Sequence, residues 1–244
     1  MHTARKIGLF CGALSLLGAC GGGAPPPLAS PSNDGSSSSG TRGGNANAPQ
    51  VSQELGSIDP DAVEGQFEKL QGKINGCYKQ GLGRIEYLNG DVSVFLRIGS
   101  DGAVRYGYFE DSSLGDRETE KCILSTLAAA SWPKPQGGEA EVRKSFGFDA
   151  PSDVRAPTAW SGDKIASALG KAQSQIDACK AGVSGAFKGA VYVQPDGKKG
   201  KVQAVGLAAP SKEGAEKIDC LVGVIQSLEL PSPGSYAAKA PLGL

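Results

Sequence analysis

The sequence all but lacks histidine: of its 244 residues, only His2 is one. This removes His-based general acid–base catalysis and most zinc sites together. No CxxC pair occurs among the six cysteines, so no zinc ribbon or thioredoxin-like redox motif is spelled out. A P-loop, a G-x-S-x-G nucleophile elbow and a carboxylate-rich calcium loop are also missing. Net charge is absent as well, with 25 basic residues against 25 acidic ones. Such a chain lacks the electrostatic footprint of a nucleic-acid binder. Past the first twenty residues, no apolar run is long enough to cross a bilayer. None of these patterns implies a cofactor, a metal or a small-molecule substrate.

What is present begins at the N-terminus. Arg5 and Lys6 form a short basic region, followed from Ile7 to Leu17 by a mostly apolar stretch too short for a stable spanning helix. It closes on Leu17-Gly18-Ala19-Cys20, which resembles the lipobox of bacterial lipoproteins. The resemblance implies a signal peptide over 1–19, cleavage before Cys20 and a diacylglyceryl group on the Cys20 thiol. Several acyl chains on one residue exceed the two-signal threshold for lasting membrane attachment. Gly21 rather than an aspartate follows, which by the same resemblance favours the outer membrane. Residues 20–58 are expected to be a lipidated, disordered tether. Through residue 50 it is mostly Gly, Ala, Pro, Ser and Asn, with only Asp34 and Arg42 charged after Cys20. Such a composition cannot bury enough apolar surface to offset its ordering entropy.

The rest of the chain is an internal duplication. Val63, Phe67, Leu70, Ile74 and Cys77 keep the spacing of one helical face, and Ile165, Leu169, Ala172, Ile176 and Cys179 repeat it position for position. Asp59-Pro60 supplies an N-cap and a proline at the first helical position, and Ser161 is the expected N-cap of the second copy. Each helix leads into an alternating strand, a turn containing Asp-Gly (Asp101-Gly102, Asp196-Gly197) and a returning strand, a strong hairpin signal. A second helix follows in both copies, starting near Cys122 and Cys220 and stopped by Pro133 and Pro231. Val142, Phe146 and Phe148 form a closing strand, with a poorer counterpart over about 235–244. The predicted class is α+β: two tandem small domains, each helix–β-hairpin–helix–strand with an antiparallel sheet.

Cys11 leaves with the signal and Cys20 is consumed by lipid, so four cysteines remain in an oxidising compartment. Of the three connectivities that Cys77, Cys122, Cys179 and Cys220 allow, the duplication favours Cys77–Cys122 and Cys179–Cys220. Two reduced, buried cysteines per copy are the alternative. Each bridge would tie the first helix of a copy to its second and contribute about 4 kcal/mol in the chain-entropy model.

Further motifs occur in a fixed order: Ile74-x-x-Cys77-Tyr78, the Val92–Ile98 strand, Asp101-Gly102-x-Val104 and Ser112-Ser113-Leu114-Gly115. Cys122-Ile123, Trp132-Pro133-x-Pro135-x-Gly137-Gly138 and Phe146-x-Phe148 complete the series. Together they resemble the TonB-like C-terminal domain of the AgmX/PglI type, found in envelope proteins of gliding bacteria. The resemblance covers about 61–149. The second copy keeps only Ile176-x-x-Cys179, Asp196-Gly197, Cys220-Leu221 and Pro231, as a diverged repeat would. It implies domain 1 over 59–149, a linker over 150–160 and domain 2 over 161–244. It also implies a non-enzymatic protein that grips an envelope protein or peptide by strand addition. The gripping strand would be the closing one, with Arg143, Ser145 and Gly147 on the face opposite its apolar anchors. The uncleaved membrane helix and long Pro/Lys/Glu arm of a force transducer are missing, so binding or assembly is the expected role.

Two other readings remain open. Ser161-Gly-Asp-Lys164 has the S-x-x-K spacing of a Ser/Lys hydrolase, without its S-D-N or K-T-G companions. A purely structural envelope or coat spacer would need no site at all. Lys198, Lys199 and Lys201 cluster on a hairpin tip and read as a solvated turn, and Tyr106, Tyr108 and Phe109 as mostly strand core.

Overall fold

A computed structural model describes residues 55–244. The 1–19 segment, Cys20 and most of the 20–58 tether lie outside the described residues. In the first half, helix α1 (Pro60–Leu82) begins as its sequence dictates: Asp59 accepts the Asp61 amide at 3.0 Å, and Pro60 occupies the first turn. Its buried stripe is Val63, Phe67, Leu70, Ile74, Cys77 and Gly81. Gly81 is there because no side chain fits, since a Cβ would sit 2.3 Å from Thr119 Oγ1 and 2.5 Å from Leu88 Cδ2. Strands β1 (Gly90–Ile98) and β2 (Val104–Ser112) form the expected hairpin. Asp101 Oδ1 caps its turn by accepting the Ala103 amide at 3.0 Å, and Gly102 takes a positive φ of 84°.

Helix α2 (Arg117–Ala128) starts earlier than the cysteine pattern suggests, because Asp116 caps it, accepting the Thr119 amide at 3.3 Å. It also ends well before Pro133, so that proline marks the following loop and not the last turn. Strand β3 (Ala140–Phe148) closes the half beside β1, giving the order β2-β1-β3. Directly opposed residues share a face: Val92, Val94, Leu96 and Ile98 with Phe146, Lys144, Val142 and Ala140 turn toward the helices.

The second half repeats this plan with additions. Strand β4 (Thr158–Ala159) comes first, followed by α3 (Asp163–Lys171) and α4 (Gln173–Lys180). Strands β5 (Lys188–Asp196) and β6 (Lys199–Ala208), helices α5 (Lys212–Ala215) and α6 (Ile218–Gln226), and strands β7 (Glu229–Pro231) and β8 (Ala238–Gly243) complete it. The sheet order is β4-β8-β5-β6-β7. Strand β5 thus lies between β6 and β8, as β1 lies between β2 and β3. The predicted single first helix is instead two, broken at Ala172 two residues after Gly170, a poor helix former. Gly162 and not Ser161 is its N-cap, without a side-chain bond. Pro231 lies in β7, beyond the end of α6.

Both disulfides join first helix to second: Cys77–Cys122 and Cys179–Cys220, closing separations of 45 and 41 residues. The described residues belong to one compact unit, and the two apolar cores interpenetrate at the seam between the halves. Tyr192, Ala204, Ala208 and Ala237 of the second half pack into the core of the first. Phe95 and Tyr108 of the first half pack into the core of the second.

Candidate functional site

Strand β3 is an edge. Among the described residues it pairs only with β1, leaving one side of a nine-residue strand open. Residues 55–57, within the predicted tether, bond just ahead of it: the Gly56 amide donates to the Glu139 carbonyl at 2.7 Å, and Ser57 exchanges bonds with Gln136 at 2.8 and 2.9 Å. They stop short of the strand itself.

The remaining sheet edges are short or covered. Strand β4, from the predicted 150–160 linker, lies parallel against the start of β8, with Thr158 opposite Ala238 and Ala159 opposite Lys239. Pro241, which has no amide to donate, blunts the rest of β8. Strand β7 is three residues long. The outer side of β2 meets the second half, where the Ala209 amide donates to the Phe109 carbonyl at 2.9 Å and Lys212 stands over the Tyr106 ring. Strand β3 is therefore the long open edge of the described fold.

The face of sheet β2-β1-β3 away from the helices carries a ladder of ion pairs. Arg97 donates to Glu139 at 2.7 Å and to Glu141 at 3.0 Å, while Arg143 bonds Glu110 at 3.0 Å and Glu141 at 3.2 Å. Arg143 also lies 4.7 Å from the centre of the Phe95 ring. Ser145 shares a hydroxyl bond of 2.7 Å with Ser93. Arg143, Ser145 and Gly147 thus sit on the predicted face, opposite Val142, Phe146 and Phe148. Lys144 turns to the helix side and pairs with Glu64 at 2.6 Å.

A second polar cluster, unread in the sequence, fills the seam. Asn89 donates its amide to the Tyr192 hydroxyl at 3.1 Å, and its carbonyl accepts from that hydroxyl and, at 2.7 Å, from Lys239 Nζ. Burial lowers the Lys239 ammonium to about 8 and raises the Tyr192 phenol above its usual range. Tyr87 bonds Gln203, whose amide donates to the Arg84 carbonyl at 3.2 Å. Arg84 pairs with Asp116, and Arg117 with Asp219 at 2.8 Å.

Glu120, like Tyr192, is fully buried, at 0 % exposure. Its Oε1 accepts from the Ser112 hydroxyl at 2.6 Å and its Oε2 from the Leu207 amide of the second half at 3.2 Å. Burial is the main influence and raises its carboxyl to about 7, against the opposing pull of Ser112, Arg117 and the Leu207 amide. A signal for it existed: Glu120, Ile123 and Leu127 lie on one helical stripe, and a carboxylate there must find a partner. Beside the seam lies a cavity of about 350 Å³ lined by Arg84, Asp116, Lys121, Gln203 and Gln226 among others.

The Ser161–Lys164 pair lies exposed at the start of α3, where the Ser161 carbonyl accepts the Lys164 amide at 3.1 Å. Lys199 of the basic hairpin tip pairs with Glu229 at 2.7 Å. Among the described residues, no group of His, Cys, Asp and Glu is arranged to hold a metal ion, and no helix is long and apolar enough to cross a membrane. No family model matches the chain, and neither curated proteins nor solved structures give a significant match.

Proposed function

We propose that this chain is a non-enzymatic lipoprotein of the bacterial envelope, held at the outer membrane through lipid on Cys20, that binds a protein or peptide by adding its strand to β3. The reading rests above all on one observation: β3 presents a nine-residue open edge while every other sheet edge of the described fold is short, blunted or covered. An unpaired edge is a template for an incoming strand. Arg143, Ser145 and Gly147 flank that edge on the polar face and would read the partner's side chains. The TonB-like resemblance of residues 61–149 points to the same strand, and the gliding-bacterial envelope is the setting it suggests. A purely structural spacer has no use for a long open edge, and the S-x-x-K spacing at Ser161 comes without the S-D-N and K-T-G motifs of a Ser/Lys hydrolase.

In an edge strand, successive amides point alternately toward the neighbour and outward. Proline at one of Lys144 and Ser145 therefore removes an outward donor, and at the other breaks the bond to β1. Envelope crosslinking and pull-down should recover the same partners with wild type and with one proline variant, and lose them with the other while circular dichroism stays native. Partners retained by two folded variants would end the strand-addition reading. Cys20→Ser should separately abolish partition into detergent, and a membrane-bound variant of unchanged mature mass would end the lipoprotein reading.

A further inference from the structure

We propose that Glu120 is an acid-tightened clasp across the seam, holding the two halves together more firmly as the surrounding pH falls. The geometry is that of a clasp. The residue belongs to α2 of the first half, yet one of its two carboxyl oxygens is held by a backbone amide of β6 in the second. The approach is close enough to demand glycine opposite, because a Cβ on Gly206 would lie 2.2 Å from Glu120 Oε1. Prying β6 from α2 breaks the Leu207 bond and delivers the carboxyl to water.

The surroundings decide the sign. From β2 the carboxyl meets the neutral Ser112 hydroxyl, and from β6 the backbone of Gly206 and the Leu207 amide. The charged groups near it are Asp116, which raises its pKa, and Arg117, which lowers it. Asp116 is bonded to Arg84, and Arg117 bonds through Nε to Asp219, which also takes Lys121, while its buried Nη1 has no hydrogen-bond partner among the described residues. No cation is bonded to Glu120 in the described pairs, so the closed seam favours the neutral carboxyl.

A group titrating near 7 when closed and near its ordinary 4.5 when open makes closure proton-linked. Closure is fully favoured below the open-state value and loses ground as pH rises through the closed-state value. Across that window the closing constant changes on the order of a hundredfold. Opening frees the Phe109 carbonyl and uncovers the outer side of β2, a second potential pairing edge.

Hydrogen exchange on the full mature chain, corrected for intrinsic rates, tests this between about pH 4.5 and 7. The Leu207 and Ala209 amides should exchange ahead of the β1 core amides, and their protection should fall on the order of a hundredfold across the window. Glu120→Gln should remove the slope, and Ser112→Ala, which deletes a bond favouring the charged form, should move it to higher pH. Gly206→Ala should leave the seam weakly protected at every pH while β1 stays protected. The proposal is overturned if the seam amides exchange only together with β1, if wild type shows no slope, or if Glu120→Gln keeps it.

Discussion

Tyr192 and Asn89 exchange two hydrogen bonds across the seam, each 3.1 Å long: the Asn89 amide donates to the phenol, and the phenol donates back to the Asn89 carbonyl. The two residues are 103 positions apart in the chain, and Tyr192 is fully buried. One side chain of the second half thereby satisfies the backbone of the first at the entry to β1.

Tyr192→Phe keeps the ring and deletes both bonds. Lys239 still serves the Asn89 carbonyl, but the amide is orphaned. The expected cost is about 1–3 kcal/mol, read as a lower urea midpoint at unchanged slope. An unchanged midpoint would mean that the Asn89 amide finds another partner.

Lys239 makes the same seam respond to alkali. Its half-buried ammonium titrates near 8 when folded against 10.5 when free, so between those values the unfolded chain binds more protons. Stability should therefore rise as pH climbs from about 8 toward 10, through this group. Lys239→Met should flatten that rise in denaturant titrations across the range, and a slope that survives the substitution would assign it elsewhere.

The two disulfides close loops of 45 and 41 residues, each stabilising by up to about 4 kcal/mol through the unfolded state. Because the cores interpenetrate, loss of one bridge should reach the other half. Cys77→Ala with Cys122→Ala should lower the midpoint of a single transition seen equally by probes in each half. Two separate transitions, with the second half unmoved, would show that the seam carries little coupling.

Much of the local structure was legible because its causes are local. The α1 stripe, the Asp59-Pro60 start and the Asp-Gly turns each follow from residues a few positions apart. The cysteine pairing was legible from duplication, since one pairing serves both copies alike. The failures fell where short-range signals were weak or misleading. Ser161 looked like a cap but Gly162 took the position, and Asp116 capped α2 before the region where cysteine and apolar spacing drew attention. Strands β4 and β7, two and three residues long, have no period long enough to read.

The amino-acid order alone determined the α+β class and the repeated helix–hairpin–helix–strand plan, because hydrophobic period, turn chemistry and cysteine spacing act over short distances. That the closing strand is an edge came only from the TonB-like resemblance, and its place beside β1 alone from the tertiary structure. Only the tertiary structure decided that the halves share a seam, and that Glu120, Asn89, Tyr192 and Lys239 meet there. It also decided that β4 and Pro241 leave β8 a poor edge while β3 stays open. Those outcomes depend on which surfaces exclude water from one another, and a polar residue gives no sign in sequence of the distant partner that will satisfy it once buried.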